Sequence, residues 1–486
     1  MSWKNKFEPY LARMPMVDRP DGHVKFKRKL MWSSVVVLVY FILTNIGLVG
    51  MGGGGQDVFG QFRSVIAGEA GTLMQVGIGP IVTGSIVMQL LSGANLLGLN
   101  TNSDPRDQVL YQGLQKIIVI VVTALTAAGF VGAGFIPVSN EFANAFGVGT
   151  EVIQLLLFAQ LFIGGVLIVF MDEVVSKWGI GSGIGLFIIA GVSQRIIGGI
   201  FGHPVISESS GLIHYWYTVG IGRETLPSIF TQDGFTQVFF GEGQILAIFT
   251  TVIIFLVVVI AESIRVEIPL QHARVKGARG TFPIKLIYAS VLPMILVRAV
   301  QLNIQFMGQI INSRLNAPDW FGVYAGGEPT SGLMYYLNPI QAPQDWMWWL
   351  GFTSQDPLNI LARVFTDLTI MVIGGAIFAI FWVQTTEMGP KSVSKQIQGG
   401  QMQIPGFRKS PKIYEKLLER YIPQVTVIGG ALVGLLAVTA NLMGTIGTVD
   451  GIGLLLSISI IYRLYEEIME EQLMEMHPAV RKMFQK

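Results

Sequence analysis

The chain has 486 residues, 51% of them hydrophobic and 13% charged, and its mean hydropathy is +0.55. That balance excludes an ordinary soluble globular protein, in which about a quarter of residues are charged. It has no cysteine, which excludes disulfides and cysteine-ligated metal centres, and a formal net charge of +2 that by itself points to no partner.

The apolar residues come in blocks of about 20, the length that crosses a hydrocarbon core of roughly 30 Å. Such blocks begin near Leu30, Gly77, Ile117, Glu151, Ile180, Gly243, Ile284, Ile360, Val425 and Gly451. Ten blocks predict one all-α polytopic membrane domain over residues 1–486. With the N-terminus placed in the cytoplasm, the only Lys and Arg off that side are Arg63, Arg195, Arg223, Arg298, Arg314 and Arg363. This is the positive-inside bias, and an even number of spans returns the C-terminus to the cytoplasm.

In chain order, residues 1–29 are basic, with Lys25, Lys27, Arg28 and Lys29 abutting the first span as a topology anchor. This basic start precedes a full-length span, so it does not read as a cleavable leader. Met51–Gly55, MGGGG, is a flexible linker. Asp57–Glu69 is too short and polar to cross; an outer surface helix and a small helix folded back into a funnel both fit it. In Gly77–Leu91, GIGPIVTGSIVMQLL, Gly77, Gly79, Pro80 and Gly84 fall close together. They suggest either a span that starts part-way through the bilayer beside a cavity or a tightly packed helix pair. The third span is rich in Gly, Ala and Thr, which suits helix contact. Gly179, Gly181, Gly183 and Gly185 open the fifth span and predict close backbone approach. The aromatics Trp320, Tyr335, Tyr336, Trp346, Trp348 and Trp349 read as interfacial anchors.

Two loops on the cytoplasmic side are basic. Arg265–Lys285 reads as a projecting finger, and Glu387–Pro423 is the second. In the latter, Ser410 and Pro411 suit an N-cap and first helical position, so KIYEKLLER predicts a short helix ended before Pro423. Such loops meet nucleic-acid phosphate or simply follow the positive-inside bias. No GxxxxGK[ST] or HExxH motif occurs. The span interiors carry few ionisable groups, chiefly Arg298 and Asp367, which counts against an ion-coupled transporter and an intramembrane enzyme; a channel gated by apolar side chains needs neither.

The blocks GIGPIVTGSIVMQLL, DEVVSKWGIGSGIGLFI, ESIRVEIPLQHARVKGARGTFPIK, GFRKS and IYRLYEEIMEE with MHPAV closely resemble the SecY family, in its archaeal form. The resemblance is co-linear over essentially the whole chain. It implies the pore subunit of a passive, non-enzymatic protein-conducting channel: ten helices in two inverted pseudo-symmetric halves, 1–240 and 241–486, around a central pore. It implies a plug at about 56–71 and cytoplasmic loops at about 264–285 and 386–424. By resemblance, Ile78, Val82, Ile184, Ile188, Ile295 and Leu456 match the pore ring, and Thr83, Thr126 and Asn303 the lateral gate. Position 126 departs from a carboxylate that some members carry. Arg274, Lys276 and Arg408 match loop residues that meet the ribosome. The implied partners are a SecE-type (gamma) subunit, a Sec-beta-type subunit, the ribosome, signal sequences and nascent chains, and membrane lipid; the implied site is the plasma membrane, and no cofactor is implied. Arg298 stands where the family is apolar. One turn beyond Ile295, it is expected to point into the outer funnel near Asp57 or Glu69, with a buried pair to Asp367 as the alternative.

Overall fold

The computed structural model describes residues 14–20, 24–53, 63–93, 96–99, 105–202, 211–223, 230–241, 243–272, 279–287, 292–315, 318–325, 328–353, 355–386, 388–399, 402–403 and 410–476, with positions 9 and 22. Among the described residues, ten helices correspond to the apolar blocks. They are α1 (Phe26–Thr44), α2 (Gly79–Gly93), α3 (Pro105–Gly132), α4 (Thr150–Trp178), α5 (Gly183–Phe201), α6 (Ile245–Ser263), α7 (Leu292–Leu315), α8 (Pro357–Thr385), α9 (Pro411–Met443) and α10 (Gly451–Met476). Helices suit this composition because each backbone N–H and C=O is bonded within its own segment, where water is absent.

By length and composition, 7 of the helices are able to cross a membrane. The other three are α1, whose first turn takes in Lys27, Arg28 and Lys29; α2, at 15 residues; and α10, which from its middle carries Arg463, Glu466 and Glu467. At the helical rise, α2 covers only about 22 Å. Irregular backbone, Thr72–Ile78, leads into it.

Two expectations about boundaries are corrected. The seventh helix starts at Leu292, not near Ile284: Ile284 is fully buried in a strand, and that apolar run belongs to the finger hairpin. The helix opened by Ser410 and Pro411 does not stop before Pro423 but runs on to Met443, with Pro423 inside it. An interior proline costs about 3 kcal/mol. Close packing of α9 on α8 offsets that cost. A Cβ added at Gly430 would lie 2.6 Å from the Gly375 carbonyl oxygen, and one at Gly434 2.3 Å from that of Met371.

Among the described residues, five short strands accompany the helices: β1 (Arg265–His272), β2 (Arg279–Lys285), β3 (Val323–Ala325), β4 (Glu328–Ser331) and β5 (Met402–Gln403). One sheet has the order β2-β1-β5 and the other pairs β3 with β4.

The chain groups into two compact units. One comprises Met1–Gly198, Gln301–Asn338 and Ile460–Lys486; the other comprises Gly199–Val300 and Pro339–Ser459. The first is cored by Ala127, Phe130, Phe135, Ile153, Leu157 and Leu161, with Phe306 packed against them. In the second, Ile268 and Ile284 of the hairpin pack with Val393, Tyr414, Leu418 and Ile422, which seats the hairpin's root on the first turns of α9.

Candidate channel site

In the first unit the site is built on backbone contact that only glycine permits. Gly77 takes a left-handed φ of 58°, and a Cβ there would stand 2.4 Å from the Ile66 carbonyl oxygen. This approach lets the Ile78 N–H donate to that oxygen at 2.7 Å. The run-in is pinned again at Leu73, whose N–H donates to Ile46 at 3.0 Å and whose carbonyl oxygen would lie 1.8 Å from a Cβ at Gly164 of α4. Its irregular backbone is thus satisfied and enclosed by protein, as irregular backbone at membrane depth must be. Gly84 meets Val119 of α3, where a Cβ would come within 2.6 Å of Cγ2. An irregular run-in to α2 and a tight contact of α2 with α3 are both present locally.

This geometry presents Ile78 and Val82 one turn apart, both buried, with the Val82 N–H donating to the Ile78 carbonyl at 3.0 Å. The glycine that opens α5 does similar work. A Cβ at Gly183 would lie 2.5 Å from the Asp172 Cα, and the Ile184 N–H donates to Asp172 Oδ1 at 3.0 Å. Ile184 is half-buried and Ile188 fully buried, again one turn apart.

The end of the expected plug is seated in the same unit. Arg63–Ile66 is a one-turn helix, the Tyr40 hydroxyl donates to the Ala67 carbonyl at 2.8 Å, and the Arg63 side chain is buried and reaches the Gly68 carbonyl at 3.4 Å. The earlier part of the plug, Asp57 included, lies outside the described residues.

Thr83 on α2 and Thr126 on α3 are half-buried, and Asn303 on α7 is exposed. Three residues beyond Thr126 and Asn303 respectively, Gly129 and Phe306 meet: a Cβ at Gly129 would lie 2.8 Å from Phe306 Cζ. The Phe130 and Phe306 rings also lie 5.5 Å apart. Spans three and seven therefore touch one turn from two of the expected gate positions.

In the second unit Ile295 and Leu456 are buried, on α7 and α10. The placement of Arg298 corrects the expectation of a watery funnel. It is 1% exposed, and its Nη1 donates to Asp367 Oδ1 at 3.1 Å. The alternative reading holds because both side chains face protein, where each charge offsets the other's burial. Three groups that sequence reasoning passed over join them. The Ile340 N–H donates to Asp367 Oδ2 at 3.3 Å; Asn441 Nδ2 donates to the Ile340 carbonyl at 3.0 Å and to Asp450 Oδ1 at 2.8 Å. Arg363, an exception to the charge bias, is buried and donates to the Pro339 carbonyl at 2.9 Å.

Outside the spans, β1 and β2 pair from Arg265↔Lys285 to Gln271↔Arg279, so the finger is a β-hairpin. Its tip, with Arg274 and Lys276, and the stretch holding Arg408 lie outside the described residues. β5 pairs with β1 through Gln271↔Gln403 and His272↔Met402, so the two basic loops share one sheet. A two-residue strand leaves no periodicity in the sequence to reveal this.

The sequence model of SecY matches residues 72–465, and that of the plug domain of Sec61p matches residues 38–71. The chain belongs to the SecY family. It is 61% identical to the protein translocase subunit SecY of Haloarcula marismortui over 487 residues, covering 100% of both chains. It is 39% identical to that of Methanocaldococcus jannaschii over 481 residues, covering 99% of this chain and 100% of the relative. Among solved structures, a protein-conducting channel matches with a TM-score of 0.79 and 38% identity over 97% of this chain and 98% of that one. Sec61 in a canine ribosome-channel complex from the endoplasmic reticulum matches with a TM-score of 0.76, at 38% identity and the same coverage. The ten helices are therefore those of the SecY channel fold in a multi-span membrane protein, and the family's work is protein translocation, not enzyme chemistry. The plug match starts within α1, upstream of the expected 56–71, and takes in that segment.

Proposed function

We propose that the chain is the pore subunit of a passive channel whose constriction is formed by Ile78, Val82, Ile184, Ile188, Ile295 and Leu456. The observation that carries the reading is that six apolar side chains on four spans match the family's ring, and that five of them are buried. A narrow ring of branched aliphatics dewets, so ions meet a desolvation barrier while a flexible polypeptide still passes. Residues 56–71 act as the plug on the outer side. Thr83, Thr126 and Asn303 line a lateral gate through which apolar segments leave for lipid; the contact of Gly129 with Phe306 supports that placement.

The halves 1–240 and 241–486 are the inverted repeats. Both termini are cytoplasmic, as the one-sided Lys and Arg distribution supports, and the membrane is the cell's plasma membrane. Arg274, Lys276 and Arg408 meet the ribosome, and the sheet shared by the two loops supports their joint presentation. A SecE-type subunit clamps the halves and a Sec-beta-type subunit accompanies it. Energy comes from the ribosome or another partner.

The test is resting ion conductance in planar bilayers. Ile78→Ser combined with Ile184→Ser is expected to raise the leak, as is deletion of residues 57–69. A leak unchanged by the double substitution refutes the ring.

A further inference from the structure

In the second unit, two spans bring one apolar residue each to the proposed ring, and the question is what holds them in register. Ile295 sits on α7, three residues before Arg298, and therefore on the same helix face. Leu456 sits on α10, six residues after Asp450. A continuous set of buried bonds runs between these two points. Arg298 holds Asp367 of α8 at 3.1 Å, and Asp367 takes the Ile340 N–H at 3.3 Å. The Ile340 carbonyl takes Asn441 Nδ2 of α9 at 3.0 Å. Asn441 also donates to Asp450 at 2.8 Å and accepts from the Gly451 N–H, so one side chain grips the start of α10 twice.

The packing around this chain leaves α10 little freedom. A Cβ at Gly451 would lie 2.5 Å from the Ala440 Cβ and 2.6 Å from the Ala437 carbonyl oxygen, so α10 begins hard against the last turns of α9. Arg363 fixes the other end of the Pro339–Ile340 step. Arg298, Asp367, Asn441 and Asp450 are all at most 6% exposed. A buried charge pair adds little net stability compared with apolar packing, and its best-attested use is to fix one register among several.

We propose that Arg298, Asp367, the Ile340 backbone, Asn441 and Asp450 form a positioning relay that fixes Ile295 and Leu456 relative to one another. The relay touches neither ion nor polypeptide; it sets how closely the two apolar side chains stand. This rests on the ring reading above.

The test uses the full chain, reconstituted in planar bilayers, with leak expressed per reconstituted channel. Asn441→Leu and Asp450→Leu are expected to raise the resting leak several-fold. Asp450→Asn keeps the oxygen that Asn441 bonds, and is expected to restore the parent leak. A second readout, available because the chain has no cysteine, is the thiol-labelling rate of Ile295→Cys with and without Asn441→Leu. The rate is expected to rise at Ile295→Cys and to stay low at Ala379→Cys, a fully buried position on α8 in the hairpin core. Equal acceleration at both positions means general loosening and overturns the proposal. So does an unchanged leak in both Leu variants while the Ile78→Ser, Ile184→Ser pair leaks. If that pair does not leak either, the ring reading fails, and the labelling contrast still decides whether the relay positions Ile295.

Discussion

Gly77→Ala tests whether the backbone contact beneath Ile78 sets its position. An L-residue in the left-handed region costs about 1–2 kcal/mol. Inserting a methyl into a filled space costs about 1–3 kcal/mol more, and here its nearest neighbour, the Ile66 carbonyl oxygen 2.4 Å away, is backbone that has no rotamer to give. Relief requires Ile66 and Ile78 to part, which forfeits the 2.7 Å bond between them, worth about 1 kcal/mol net. The expected loss is therefore about 3–6 kcal/mol of stability, with a raised resting leak because Ile78 moves with its own N–H. Gly79→Ala is the control. Only Ile66 Cγ2 is near its added Cβ, at an ordinary 3.8 Å, and it opens a helix. It is expected to change stability by about 0.5 kcal/mol at most. Thermal unfolding of the purified protein in detergent and conductance in bilayers read the two effects. If Gly77→Ala unfolds with Gly79→Ala and leaks no more than the parent, the contact does not position Ile78.

Asp367→Leu removes the carboxylate that Arg298 bonds and is expected to cost about 3–5 kcal/mol, whereas Arg298→Met with Asp367→Leu recovers most of it; equal losses in thermal unfolding refute the pairing. Arg298→Cys is expected to resist a membrane-impermeant thiol reagent added from outside, and fast labelling would return it to the aqueous funnel. Reversing charge at Arg274 and Lys276 is expected to weaken ribosome binding, and wild-type affinity is expected to fall steeply with salt as counterions are released. Salt-insensitive binding in a sedimentation assay contradicts the phosphate contact.

The spans were legible because hydrocarbon imposes one solution on a long apolar run, and Gly77, Gly79, Pro80 and Gly84 marked the interrupted second span for the same reason. Hydropathy fails where an apolar run is consumed by soluble packing. Ile284 and Ile287 look like the start of a span, yet Ile284 fills the core under the finger hairpin, and α7 starts only at Leu292. It also fails at Pro423, since local propensity carries no knowledge of the glycine-mediated contact of α9 with α8 that keeps the helix continuous. Arg298 and Asp367 were both visible as charges in spans, but only their relative depth and facing decide the pair. Asn441, a lone amide near the end of a span, reads as loop chemistry until Ile340 and Asp450 are seen on either side of it.

The positions proposed for the ring are thus held by two different kinds of force. Ile78 and Ile184 follow backbone segments locked by glycine contacts with the Ile66 carbonyl and with Asp172, where the restraint is steric and short-ranged. Ile295 and Leu456 follow a buried polar chain, where the restraint is directional and each link depends on its neighbour. Steric restraint of the first kind admits almost no intermediate positions, because a Cβ-sized displacement already meets backbone. A hydrogen-bonded chain gives up its restraint link by link instead, each bond weakening as its neighbour is lost.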